Sequence, residues 1–533
     1  MFIDARTIAK GTTIDADVCI IGAGAAGITL AREFKGQPFK VCLLESGGLE
    51  YEVDTQALYR GKNIGLPYYP LDVARLRYFG GTTNHWGGAC RPLDEIDFEA
   101  RDWVPHSGWP FGRAHLVSYY ERAGSVLQIG PFAYEAKDWE TDERQPAKFN
   151  DGALTSSVLQ QSPPTRFGQV YRDELRQAGN IDTYLHANVL EIETNASGKS
   201  ATRLRASSLE RNEFHVTAKL IVVATGAIEN ARLLLLSNRF DSRGLGNGHG
   251  LVGRFFMDHP IAGWGQVGIV APSGFPLEFY KERNEGTIVE NGVDRHGVTW
   301  GFIRPSEQTV RRLKLLGCGI GIRATPLKTH SKGIESARRL KKAIGSGKWP
   351  DNFWEQVGNV VSDLDDVTFL GAQKLTGKKP ATMVEILYWG EPAPDPDSRV
   401  SLSNDHDVLG QRKVSLDWEL SPLVSKTMRQ VLEKFAIELG RSSLGRLGVN
   451  PVIWDDKWTS LFSGSYHHMG TTRMHKDPRK GVVDADCRMH GVSNVYVAGS
   501  SVFPNAGYAN PTMTIVALAL RLADHLKTRL RGM

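Results

Sequence analysis

Two histidines stand side by side in the segment Gly464-Ser465-Tyr466-His467-His468-Met469-Gly470-Thr471-Thr472-Arg473-Met474. Further along, Asn510 precedes Pro511 and Thr512. A neutral imidazole, with an ordinary pKa near 6.5, is suited to take the proton of a hydroxyl while a hydride leaves the carbon. The residue before a proline is held out of the helical region, and proline itself suits a first helical turn. Asn510 is therefore expected at the start of a helix over 512–526, beside the free N–H groups of that helix. Capping that helix would be an ordinary role for the asparagine, and it is compatible with facing a substrate.

A second chemical signal lies near the N-terminus, at Gly22-Ala23-Gly24-Ala25-Ala26-Gly27. The β-branched run 17–21 opens directly onto it. A helical stretch over about 26–34 follows, and the run 40–44 then ends in Glu45 and Ser46. This is the pattern of a dinucleotide-binding βαβ unit. Gly22 permits the tight turn, Gly24 lets a pyrophosphate approach the backbone, and Gly27 lets helix and strand pack closely. The helix N-terminus stabilises phosphate charge, and Glu45 is placed to hydrogen-bond a ribose hydroxyl.

Other elements must bring these signals together. The apolar run 219–223 ends in Ala224-Thr225-Gly226, followed by a helical stretch over 228–237. The run 494–498 ends in Gly499-Ser500. Three strand ends from distant parts of the chain predict one nucleotide-binding unit of discontinuous segments, with ligands at the carboxyl ends of its strands. Between about 262 and 455 the pattern changes, and 298–303, 383–388 and 399–402 read as half-buried strands of an antiparallel sheet. The fold class expected is α/β for the nucleotide unit and α+β overall. The basic stretch 332–348 reads as a solvated surface helix, and a docking face for an anionic partner or membrane is the sharper alternative.

Bulk properties set limits. A chain of 533 residues can bury a large core and divide into more than one structural unit. The formal net charge of +5 is small against 64 basic and 59 acidic residues, so it argues for no nucleic-acid partner. Five scattered cysteines without a CxxC pair argue against a disulfide framework or a zinc site, and no metal is expected. No apolar run approaches the roughly 20 residues of a membrane span, and no secretory leader pattern opens the chain. A cytoplasmic location is the default expectation.

Taken together, these motifs resemble the glucose-methanol-choline (GMC) family of flavin oxidoreductases, at both ends of the chain and in the family's order. In that family the residue aligned with His467 faces the flavin beside a second His or Asn, here Asn510, whereas the position of His468 varies. The segment Gly80-Gly81-Thr82-Thr83-Asn84-His85-Trp86-Gly87-Gly88 resembles the flavin-contact loop of the branch containing pyranose oxidases and bacterial sugar dehydrogenases. In pyranose oxidases the histidine matching His85 is joined covalently to the flavin. Asn84 replaces the threonine found there, so non-covalent FAD is the expectation and a link at His85 the alternative. Residues 185–192 resemble the strand whose valine, here Val189, meets the adenine. Gly499, Ser500, Pro511 and Thr512 match positions near the flavin. His259, in Met257-Asp258-His259-Pro260, reads as domain-junction structure without an acid–base partner.

The resemblance implies an FAD-binding domain from 1–90, 185–261 and 456–533, connecting and lid segments at 91–184, and a substrate domain at 262–455. It further implies oxidation of a small-molecule alcohol, a sugar, glycoside or aminoglycoside. His467 would take the hydroxyl proton, Asn510 would hold the oxygen, and the hydride would pass to flavin N5. An NAD-dependent dehydrogenase and a non-oxidative lyase on the same fold stay open as alternatives. The electron acceptor, whether oxygen, a quinone or a redox protein, is not specified by the sequence.

Overall fold

The computed structural model describes residues 1–271, 275–290, 293–324, 332–346, 352–362 and 382–533. The β-branched run at 17–21 forms the inner half of the strand Thr13–Ile21, whose residues Val18, Cys19 and Ile20 are fully buried. It pairs in parallel with Val41–Leu44 on one side and Glu213–Val223 on the other. Burial on both faces is what a parallel sheet covered by helices requires. The helix Ala25–Glu33 covers this sheet and packs against the C-terminal helix Thr512–Arg531.

The sheet runs Phe2–Asp4, Ile181–Leu185, Val41–Leu44, Thr13–Ile21, Glu213–Val223, and then the antiparallel pair Ala201–Ser207 and Asn188–Thr194. The short strand Val495–Val497 adds to the far half of Glu213–Val223, with Val497 beside Val223 and Val223 beside Ile21. The strand ends at Ile21, Leu44, Val223 and Val497 therefore open at one edge, as the three glycine-containing sequence ends predict. The stretch read as one strand over 185–192 is two. His186 takes a positive φ of 58° between Ile181–Leu185 and Asn188–Thr194.

A second sheet is antiparallel throughout. Its order is Arg446–Val449, Ile261–Ala271, Thr382–Gly390, Cys318–Ala324, Val293–Pro305, Leu154–Gln161 and Ala89–Cys90. Two sequence expectations shift here. The strand Leu154–Gln161 falls in the stretch expected as connection and lid, yet it pairs along its whole length with Val293–Pro305. The strand Arg399–His406 leaves the large sheet and forms a small one with Arg412–Asp417 and Lys62–Asn63. Its partner is the strand that follows it, so local hairpin pairing wins over joining the larger sheet.

Of the basic stretch 332–348, the helix Lys332–Ser346 carries exposed Arg338, Arg339, Lys341 and Lys342, and residues 347–348 lie outside the described residues. Among the described residues no helix is long and apolar enough to cross a membrane.

Candidate active site

Gly22 adopts a φ of 100°, and a Cβ there would stand 2.6 Å from the carbonyl oxygen of Ala224. Only glycine lets these two strand ends approach so closely. A Cβ on Gly27 would stand 1.8 Å from the Gly22 carbonyl oxygen, so Gly27 sets the contact between helix and turn. Gly24 differs, because a Cβ there would meet nothing within 4 Å. It caps the helix Ala25–Glu33 without any side-chain hydrogen bond, leaving that helix's first N–H groups bare. Glu45 is buried and accepts hydrogen bonds from the backbone N–H of Ala23 at 2.9 Å and of Gly47 at 2.9 Å. Its carboxylate thus ties together the turns after the first and second strands of the βαβ unit.

A cavity of about 680 Å³ begins at this cradle and continues to the two histidines. Its wall takes in residues 22–26, Glu45 and Ser46, 81–83 and 85–89, Val189, 224–229, 465–468, Gly499, Ser500 and 510–512. Positions 87, 226 and 499 share the property of Gly24, with no protein atom within 4 Å of an added Cβ. Bare backbone at four separated points, a helix N-terminus and a buried carboxylate suit a long dinucleotide carrying a flat ring. FAD fits this donor set.

Three residues expected at the cofactor do not line the cavity. Gly27 is spent on packing. Gly80, at a φ of 98°, lies against Asn84 and Gly168. Asn84 donates from Nδ2 to the Phe79 carbonyl at 2.8 Å, so its side chain closes its own loop. His85 does line the cavity, and burial followed by the nearby Arg166 holds its imidazole below the ordinary histidine range.

His467 and His468 both border the cavity but have different partners. His467 Nδ1 lies 2.9 Å from Nδ1 of His259 and 3.1 Å from Oγ of Ser465. No described protein atom takes its Nε2. Burial first, and the neighbouring His259 second, hold the His467 imidazole well below the ordinary histidine range. His468 instead places Nε2 2.9 Å from the Tyr68 hydroxyl. That hydroxyl donates to Asp258, so it accepts from His468, whose Nε2 is then a donor. Burial pushes His468 down to about 3.

Behind this pair sits Asp258, completely buried. Its two carboxylate oxygens accept the backbone N–H groups of Ser465 at 3.1 Å, Tyr466 at 3.1 Å and His467 at 2.9 Å, together with the hydroxyls of Ser465 and Tyr68. Tyr466, at a φ of 63°, turns the chain here, and its ring stacks on Tyr69 with centroids 4.3 Å apart. Asn510 also lines the cavity, and its Nδ2 donates to the Ala89 carbonyl at 3.2 Å. The helix starts at Thr512 with Pro511 at its cap position and no side-chain cap, so Asn510 does not cap it.

His259 requires a correction. It does contact an acid–base group, His467, and its other ring nitrogen lies 3.0 Å from the Gly507 carbonyl. The separation of 208 residues hid this contact from any local reading. The available signal was the pair Asp258-His259, two ionisable residues locked before a proline.

The fold and the sequence find counterparts among known proteins. A family model described as FAD dependent oxidoreductase matches residues 17–242, and one described as GMC oxidoreductase matches residues 394–519. The chain is 24% identical to the fructose dehydrogenase large subunit of Gluconobacter japonicus, over 97% of this chain and 99% of that one. It is 25% identical to the 6'''-hydroxyparomomycin C oxidase of Streptomyces lividus, over 96% of this chain and 92% of that one. Among solved structures, formate oxidase superposes with a TM-score of 0.55 at 15% identity, covering 98% of this chain and 100% of that one.

Proposed function

We propose, on the match of the chain to the GMC oxidoreductase and FAD dependent oxidoreductase models, that it is an FAD-dependent oxidoreductase acting on CH–OH groups and that it oxidises a sugar, glycoside or aminoglycoside alcohol with His467 as the base. One observation carries this reading. His467 borders the cavity with its Nε2 unengaged by protein, and Asn510 borders the same cavity. When bound, FAD supplies the hydride acceptor. The substrate hydroxyl gives its proton to His467 Nε2, and the Asn510 amide holds the same oxygen in place. The carbohydrate class is supported by the relatives named above, which act on fructose and on an aminoglycoside by their names.

The same reading takes FAD as non-covalent, since Asn84 is turned onto its own loop beside His85. Segments 1–90, 185–261 and 456–533 form the FAD domain in this reading, and 262–455 the substrate domain, joined by the strand Leu154–Gln161. A cytoplasmic location is a separate proposal, checked by cell fractionation.

The test is anaerobic flavin bleaching against a panel of sugars, glycosides and aminoglycosides. At least one should bleach the flavin, and His467→Ala should slow single-turnover reduction roughly 10²–10⁴-fold. Acid precipitation should release the flavin into solution. A panel that leaves the flavin oxidised would turn the reading toward a non-oxidative lyase. A His467→Ala variant reducing at the wild-type rate would remove His467 as the base.

A further inference from the structure

The ring nitrogens of His259 have two different neighbours. Nε2 lies 3.0 Å from the backbone carbonyl oxygen of Gly507, which can only accept a hydrogen bond. Nε2 therefore carries the proton. His259 is 1% exposed, and burial pushes its pKa down to about 4, so near neutral pH it holds a single proton. Its Nδ1 is then a bare lone pair, and it faces Nδ1 of His467 at 2.9 Å. Two bare nitrogens at that distance would repel, so His467 carries its proton on Nδ1.

The third member of the contact agrees. The single Ser465 hydroxyl proton has two acceptors, Asp258 Oδ1 at 2.9 Å and the His259 carbonyl at 3.0 Å. Ser465 Oγ is thus left to accept from His467 Nδ1 at 3.1 Å. Both partners of His467 Nδ1 are acceptors, and its other nitrogen is the one left for the cavity.

We propose that His259 is a positioning residue that locks His467 in the tautomer with Nδ1 protonated and Nε2 bare toward the cavity, an inference that rests on His467 being the base. The order of contacts runs from the Gly507 carbonyl through His259 to His467, and it fixes which nitrogen receives the substrate proton. The opposite tautomer would present an N–H to the substrate hydroxyl and could take no proton from it.

The experiment uses the FAD-loaded enzyme and whichever alcohol bleaches it. Nitrogen-15 spectra of histidine-labelled wild type, assigned by difference from His467→Ala, should show His467 with Nδ1 protonated and Nε2 unprotonated. The reverse pattern overturns the proposal without any change at position 259. In single-turnover reduction, His259→Leu should lower the limiting rate about 10–100-fold with the apparent substrate affinity little changed. Asn at 259 can place an amide oxygen near the position of ring Nδ1, so His259→Asn should recover most of that loss. Equal losses in the two variants, or a wild-type rate in His259→Leu, overturn the positioning role. If His467→Ala is slow while His259→Leu is not, only this inference fails; if His467→Ala reduces at the wild-type rate, the base assignment itself fails.

Discussion

The carboxylate of Asp258 accepts the backbone N–H of His467 at 2.9 Å, across 209 residues of chain. The same side chain collects two further backbone N–H groups and two hydroxyls, so one buried anion holds the whole turn that carries both histidines. Burial pushes its carboxyl upward, and the Tyr68 hydroxyl and the His467 and Ser465 donors oppose that shift. Five donors converging on two oxygens leave no room for a neutral amide.

Asp258→Asn should therefore damage both stability and turnover. The new NH₂ would face donors on whichever side it takes, leaving backbone N–H groups buried and unpaired. Each bond to a buried charged group is worth about 1.5–3 kcal/mol, so a loss of roughly 3 kcal/mol is expected in urea unfolding. Flavin reduction should slow because His467 and Ser465 lose their shared anchor. A variant with wild-type stability would show that the anchor is not the carboxylate.

The glycines of the cradle separate folding from cofactor binding. Gly24→Val puts its Cβ where the protein has no atom within 4 Å, at a backbone conformation open to any residue. It should fold and yet lose bound flavin, read as the absorbance ratio at flavin and protein wavelengths. Gly22→Ala adds a Cβ 2.6 Å from the Ala224 oxygen at a φ of 100°. It should cost about 1–3 kcal/mol or more in stability. A Gly24→Val protein that keeps full flavin would mean that the cofactor does not run over this turn.

The βαβ unit was legible because everything that specifies it is local: the buried run 17–21, the glycine spacing, and Glu45 at the next strand end. The convergence of Val223 and Val497 on Ile21 was legible from apolar runs ending in small residues. The support behind His467 was not. Asp258, His259 and Tyr68 reach the site from other segments, and reading 257–260 as domain-junction structure concealed a charged anchor. Asn84 failed for the opposite reason. Its motif position pointed to the flavin, while its side chain donates to the Phe79 carbonyl of its own loop. Asn side chains readily make such local bonds.

Acid sensitivity follows from the buried imidazoles. His467 is held well below its ordinary value of 6.5, so the rate of flavin reduction should fall only as pH drops well under 6.5. Protonation there fills the lone pair that would take the hydroxyl proton, so the loss is on the acid side. An acid limb centred at or above 6.5 in single-turnover reduction would sink this reading. Stability should move the same way through His259, whose folded pKa is about 4 against 6.5 when exposed. The unfolded chain binds that proton first, so the contribution is complete above 6.5 and is lost as pH falls through about 4. Between pH 7 and pH 5 the change is on the order of 2 kcal/mol from this residue. Urea unfolding of wild type and His259→Asn at both pH values isolates it, since carboxylates contribute alike to both proteins. The wild type should lose more stability on acidification than the variant, and equal losses would show that His259 is not held neutral in the folded protein.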